Sequence, residues 1–158
     1  MAAIRTNHIS GLIPETTATE HYNHLLTSVS WQDGIPSRKT GFTRKAYALP
    51  PDEQPKVWQL VTEVVGMFGL DINKILGIYL NLYRNGEDYT PGHSHPGMRQ
   101  IVISLGASRT LYIKSGSTPK NYLLSHGDVI IFGSGMHGVP KEPLVHTSRI
   151  SIAVFLEK

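Results

Sequence analysis

The chain has 158 residues, 40% of them hydrophobic and 17% charged, with a formal net charge of +3 and no cysteine. That length suits one domain able to bury its own core, and the missing cysteines exclude disulfides, zinc-thiolate sites and thiol nucleophiles. Apolar runs such as VTEVVGMFGL break before membrane-spanning length, and MAAIRTNHIS lacks the basic segment and apolar core of a signal peptide, so the default expectation is a soluble, intracellular (cytoplasmic) monomer.

Taken in chain order, ETTATEHYNHLLTSV at 15–29 places Tyr22, Leu25, Leu26 and Val29 at helical spacing, with Thr16 or Thr17 as cap. A turn-rich stretch, QDGIPSRKTG, and then FTRKAYAL lead to the proline cluster PPDEQP, which opens a second helix. In that helix Val57, Leu60, Val61, Val64, Val65 and Phe68 make a wide apolar stripe, and Gly66 and Gly69 end it. From residue 72 the texture becomes short β-type runs, ILGIYLNLYR, RQIVISLG, TLYIK, NYLLS, DVIIFG and RISIAVFLE, set apart by glycine-rich turns. The expectation is a single domain over 1–158, mainly β with flanking helices (α+β). Residues 1–71 form a helical extension and 72–158 the β-core, a sandwich or barrel.

The histidines gather in that β-core. His93 and His95 follow the first strand with one serine between them, and His137 lies beyond DVIIF. Residues i and i+2 of extended chain face one side, so His93 and His95 can address one ion while His137 supplies a third corner. Three imidazoles with open positions describe a catalytic site for iron, zinc, copper or nickel; the alternative that spacing alone leaves open is a pair of exposed polar histidines beside a Pro-Gly turn, with His137 a loop histidine. The basic groups Arg38, Lys39, Arg44 and Lys45, and Arg99, Arg109, Lys114 and Lys120, read as solvated surface that permits a polyanion. His126 and His146 read as polar loop residues, and Glu87 and Asp88 as solvated turn carboxylates.

The run NLYRNGEDYTPGHSH, then ISLGASRTLYI, LLSHGDVIIFG, HGVPK and RISIAVF, resembles the AlkB-like branch of the Fe(II)/2-oxoglutarate-dependent dioxygenases over residues 75–156. The resemblance implies a double-stranded β-helix (jelly-roll) core. It implies Fe(II) held by His93 and His137, with His95 at the place of the family's aspartate. It also implies 2-oxoglutarate bound by Arg149 with Asn81, Tyr83 and Ser151. A guanidinium meets a carboxylate with two charge-assisted hydrogen bonds.

Three departures from the pattern accompany it. His95 replaces the aspartate of His-x-Asp, leaving a divalent iron with formal charge near +2 rather than +1. Phe155 stands where repair-type members carry a second arginine close to that aspartate, so the two losses read as one change. The turn GSGM before His137 is short, which means either a wider mouth or a displaced distal histidine.

Two functional classes follow. One is an oxygenase that hydroxylates a C–H bond, or demethylates a flipped or single-stranded nucleic-acid base, with Arg38, Lys39 and Tyr47 as substrate-side residues. The other is a binding module that keeps a metal or 2-oxoglutarate pocket without turnover. A three-histidine dioxygenase that does not use 2-oxoglutarate would have no reason to keep Arg149 and the Asn81-x-Tyr83 pair.

Overall fold

The structure is a computed structural model describing residues 5–34, 36–37, 41–114 and 116–158, with main chain only at 36–37 and 41–42. Two helices lead, α1 (Glu15–Ser28) and α2 (Pro55–Met67). The strands up to α2 are β1 (Asn7–Ile9), β2 (Gln32–Asp33), β3 (Pro36–Ser37), β4 (Gly41–Phe42) and β5 (Lys45–Leu49). A single 3-10 turn at Ile72–Lys74 precedes β6 (Ile75–Tyr83), β7 (Thr90–His93), β8 (Met98–Gly106) and β9 (Arg109–Lys114). The chain ends with β10 (Pro119–Leu124), β11 (Val129–Phe132), β12 (Met136–Val139) and β13 (Arg149–Glu157). Among the described residues no helix is long and apolar enough to cross a membrane.

The strands form a seven-stranded sheet in the order β1-β11-β8-β13-β6-β5-β2, a four-stranded sheet β10-β9-β12-β7 and the small hairpin β3-β4. Every pairing is antiparallel. From β6 onward the chain passes back and forth between the two larger sheets. This is the double-stranded β-helix that the motif order implied.

Strand alternation explains why β13 is apolar at every second position and mixed between them. Ile150, Ile152, Val154 and Leu156 point to the face covered by α1 and α2, where they join Ile78, Leu80 and Leu82 of β6 and Ile101, Ile103 and Leu105 of β8. The helices supply Leu25 and Val57, Leu60, Val61, Val64 and Val65 to the same core. Each such side chain contributes about 1.5–3 kcal/mol by leaving water. The opposite row of β13, Arg149, Ser151, Ala153 and Phe155, lines a cavity between the sheets.

The helices begin and end for local reasons. Neither Thr16 nor Thr17 caps α1; Pro14 is the cap residue, without a side-chain bond, and its carbonyl accepts the Ala18 amide at 2.9 Å. The threonines sit one and two residues inside the helix, too late to cap it. α2 opens with proline in its first turn. It closes on Gly69 at φ +69°, a left-handed conformation that costs glycine nothing.

Candidate functional site

β7 and β12 pair so that His137 lies directly opposite His93. The short GSGM turn thus leaves His137 within reach of His93. The ring centroids of His93 and His137 are 4.4 Å apart, and those of His95 lie 4.9 Å from His93 and 5.6 Å from His137. One nitrogen from each ring lies within 4.8 Å of the others. His95 follows β7, two residues beyond His93, and so addresses the same side.

Two carbonyls fix the tautomers. Nδ1 of His93 donates to the Pro91 carbonyl and Nδ1 of His137 to the Gly135 carbonyl, both at 2.9 Å. Each Nε2 is then an acceptor, the state a metal ligand needs. The carboxamide of Gln100 donates to Nε2 of His137 at 3.3 Å. Burial pushes His137 down to about 4, with His93 and His95 adding to the effect. Burial and the neighbouring His93 also lower His95. Both rings are neutral at physiological pH, and a metal at Nε2 of His137 would take the place of the Gln100 hydrogen bond.

Close backbone approach holds β7 and β12 together. A Cβ on Gly138 would lie 2.6 Å from the Tyr112 hydroxyl and 2.7 Å from the Thr90 carbonyl, and one on Gly92 would lie 2.6 Å from the same hydroxyl. Tyr112 therefore occupies space that side chains at 92 and 138 would claim, beside His93 and His137. Phe155 meets His95 edge-on, 4.9 Å between centroids. The two positions that depart together from the repair-type pattern are in contact.

The cavity holds ≈ 270 Å³ and is lined by all three histidines together with Asn81, Tyr83, Arg149 and Ser151. These seven residues are brought to one place. Arg149 is 2% exposed, its Nε donates to the Ser104 hydroxyl at 2.9 Å, and its guanidinium lies 5.3 Å from the centre of the Tyr83 ring. Burial lowers its pKa while Tyr83 opposes the shift. Among the described residues no carboxylate pairs with it. Tyr83 in turn bonds Thr90 through its hydroxyl at 2.7 Å, and Asn81 donates to Ser151 at 3.2 Å.

The substrate-side expectations fare differently. Tyr47 does not line the cavity: its hydroxyl donates to Glu53, and it packs with the core on the helical face of β5. Arg38 and Lys39 lie outside the described residues. His126 is half-buried rather than in an open loop, accepting the Gly106 amide at 2.8 Å and donating to Thr19 at 3.0 Å. His146 is exposed. Neither belongs to the histidine cluster.

Several buried polar residues were not legible as such. Asp88 is 6% exposed and takes both the backbone amide and the guanidinium of Arg84, so it is a structural clamp rather than a solvated carboxylate. Arg109 is 1% exposed, paired with Glu142 and donating to the carbonyls of Asn85, Asp88 and Pro140. Arg44 is buried too, its Nε donating to Asn81 at 2.8 Å, and it lines the cavity. Alternation could have found Ser104, on the row of β8 that carries the cavity residues Gln100 and Val102, whereas Arg44 precedes β5 and carries no such signal.

No protein-family model and no curated protein matches this chain. Solved structures match it by shape. A prolyl-4-hydroxylase from Pseudomonas putida superposes over 97% of this chain and 92% of its own, with TM-score 0.73 and 14% identity. A prolyl hydroxylase from Trichoplax adhaerens, in complex with a hypoxia inducible factor peptide, covers 96% and 83% with TM-score 0.73 and 14% identity. SnoK, a non-heme α-ketoglutarate-dependent carbocyclase from nogalamycin biosynthesis, covers 97% and 79% with TM-score 0.77 and 11% identity. The fold is that of the 2-oxoglutarate/Fe(II) oxygenases. Within this oxygenase fold, the donor set also fits the two groups the fold implies. Three imidazoles suit a borderline divalent metal, and a buried guanidinium that makes no salt bridge suits one end of 2-oxoglutarate.

Proposed function

We propose that this protein is an Fe(II)- and 2-oxoglutarate-dependent oxygenase, AlkB-like in its motif order, acting on a C–H bond of a small substrate. The observation that carries the reading is Arg149, a buried guanidinium that makes no salt bridge among the described residues and feels only the longer-range attraction of Glu142, in one cavity with three histidines. An unpaired buried charge costs several kcal/mol, which a bound carboxylate would offset. His93, His95 and His137 would hold the iron. Arg149 would grip the distal carboxylate of 2-oxoglutarate, with Ser104 orienting the guanidinium and Ser151 offering a further hydroxyl.

Bound together, iron and 2-oxoglutarate supply oxidation of a substrate C–H by oxygen, coupled to release of succinate and carbon dioxide. The chain's part is positional. The Pro91 and Gly135 carbonyls hold two ligand rings in the right tautomer, and Phe132, Val139 and Phe155 keep the cavity apolar. Arg44 is committed to the cavity, which removes it from the basic surface that a nucleic-acid strand would use.

Iron-dependent succinate formation from 2-oxoglutarate, measured on wild type beside His95→Asp, tests the proposal. Turnover in wild type supports it. Turnover in His95→Asp alone would replace it with a binding module whose chemistry left with the aspartate.

A further inference from the structure

If 2-oxoglutarate engages Arg149 and the metal, as the oxygenase reading above requires, a second cation remains in the same cavity. Arg44 precedes β5 by one residue and is 7% exposed. Its Nε donates to Asn81 and its Nη1 to Thr43 at 3.0 Å, both neutral acceptors. Among the described residues no carboxylate pairs with it, and no Asp or Glu lines the cavity. The outer edge of the guanidinium, Nη2 with the second hydrogen of Nη1, is the edge that accepts a carboxylate in parallel.

Charge counting sharpens the point. A divalent iron on three neutral imidazoles is near +2, and Arg149 and Arg44 add one each. The 2-oxoglutarate dianion cancels two of these four charges. An aspartate in place of His95 would have cancelled a third, but His95 does not. Buried charge left uncompensated is costly, so the remaining ligand of this cavity is an anion. The walls around it are apolar, with Val102, Leu111, Phe132 and Phe155 among them. A cavity of ≈ 270 Å³ accommodates a small molecule rather than a polymer segment.

We infer that Arg44 is the specificity-determining residue of this site, binding the carboxylate of a small, otherwise apolar acid that is the substrate to be oxidised. Arg44 belongs to the amino-terminal extension, bonded to β6 through Asn81 and across it to Ser151 of β13. The acid would enter from the extension side, with its apolar body toward the histidines.

Calorimetric titration of wild type loaded with 2-oxoglutarate and Mn(II), a redox-inert substitute for Fe(II), tests this with two probe pairs: butyrate against butyramide and phenylacetate against phenylacetamide. At least one acid is expected to bind about tenfold tighter than its amide, with that preference abolished in Arg44→Gln and partly kept in Arg44→Lys. Affinity for 2-oxoglutarate should be unchanged in both variants and lost in Arg149→Gln. Equal binding of acid and amide by wild type overturns the inference. So does a preference that survives Arg44→Gln, or a loss of 2-oxoglutarate affinity in Arg44→Gln as large as in Arg149→Gln, which would assign Arg44 to the cosubstrate. Failure of wild type to bind Mn(II) and 2-oxoglutarate overturns the oxygenase reading instead. The same probe pairs, read on Arg149→Gln protein where Arg44 is the cavity's remaining guanidinium, then decide the acid site separately. Should Arg44→Gln fail to fold, Arg44→Lys decides: weaker acid preference supports the inference and an unchanged one overturns it.

Discussion

His95 stands edge-on to Phe155 and beside two other imidazoles. An arginine at 155 would face three imidazoles and a metal, so phenylalanine there and histidine at 95 are mutually consistent. His95→Ala should weaken Mn(II) binding by about tenfold or more, while Phe155→Leu leaves it within about twofold, both by calorimetry. Arg149 invites the opposite kind of test. Arg149→Met removes a buried, unpaired charge, so the ligand-free protein should lose no stability in urea, and gain about 1 kcal/mol, while 2-oxoglutarate binding disappears. A fall in stability would show that Ser104 and the Tyr83 ring already compensate the guanidinium. Motif order singled out His93, His137 and Arg149 in the sequence, and the structure brings them to one cavity. Arg44 and Arg109 looked like solvated charges, because burial is a property of which strand pairs with which, not of a residue's neighbours in sequence.

The two histidine-bearing strands, β7 and β12, are the elements that a reading of runs misses. TPGH and MHGV are short, carry proline or glycine, and lack the alternation that marks ILGIYLNLY or RISIAVFLE. They are strands because each finds a partner: Thr90 faces Val139, His93 faces His137, and Gly138 faces Tyr112 of β9. Glycine at 138 is the condition for that approach. Gly138→Ala should destabilise the protein by about 1–3 kcal/mol through overpacking against Tyr112 and Thr90. It should also weaken metal binding, since β12 would move His137 away from His93. Tyr112→Phe in the same chain should recover part of the loss, because it removes one of the two obstructing oxygens; urea unfolding and Mn(II) titration check both effects.

Across the whole molecule, the amino-terminal segment is tied to the β-core through Asp128, which precedes β11. Its carboxylate accepts hydrogen bonds from the amides of Ser125 and Gly11 and from Nε2 of His8, at 2.9 Å each. Burial raises the Asp128 pKa, but these bonds outweigh it and hold the carboxyl below its ordinary value. A depressed carboxyl contributes stability that is present above about pH 3.9 and lost as pH falls through the lower native value. Asp128→Asn should therefore cost about 1–3 kcal/mol at pH 7 and flatten the loss of stability between neutral pH and pH 3, measured by urea midpoints. The sequence alone determined the two helices, the long strands with their alternating faces, and the chain order of the histidines and Arg149, because those follow from local periodicity and residue chemistry. Only the tertiary structure decided that β7 and β12 exist as strands and that His137 meets His93 across them. It also decided that Tyr47 turns to the helices while Arg44 turns into the cavity. Those outcomes depend on pairing register between segments tens of residues apart, where a shift of one residue reverses every side chain.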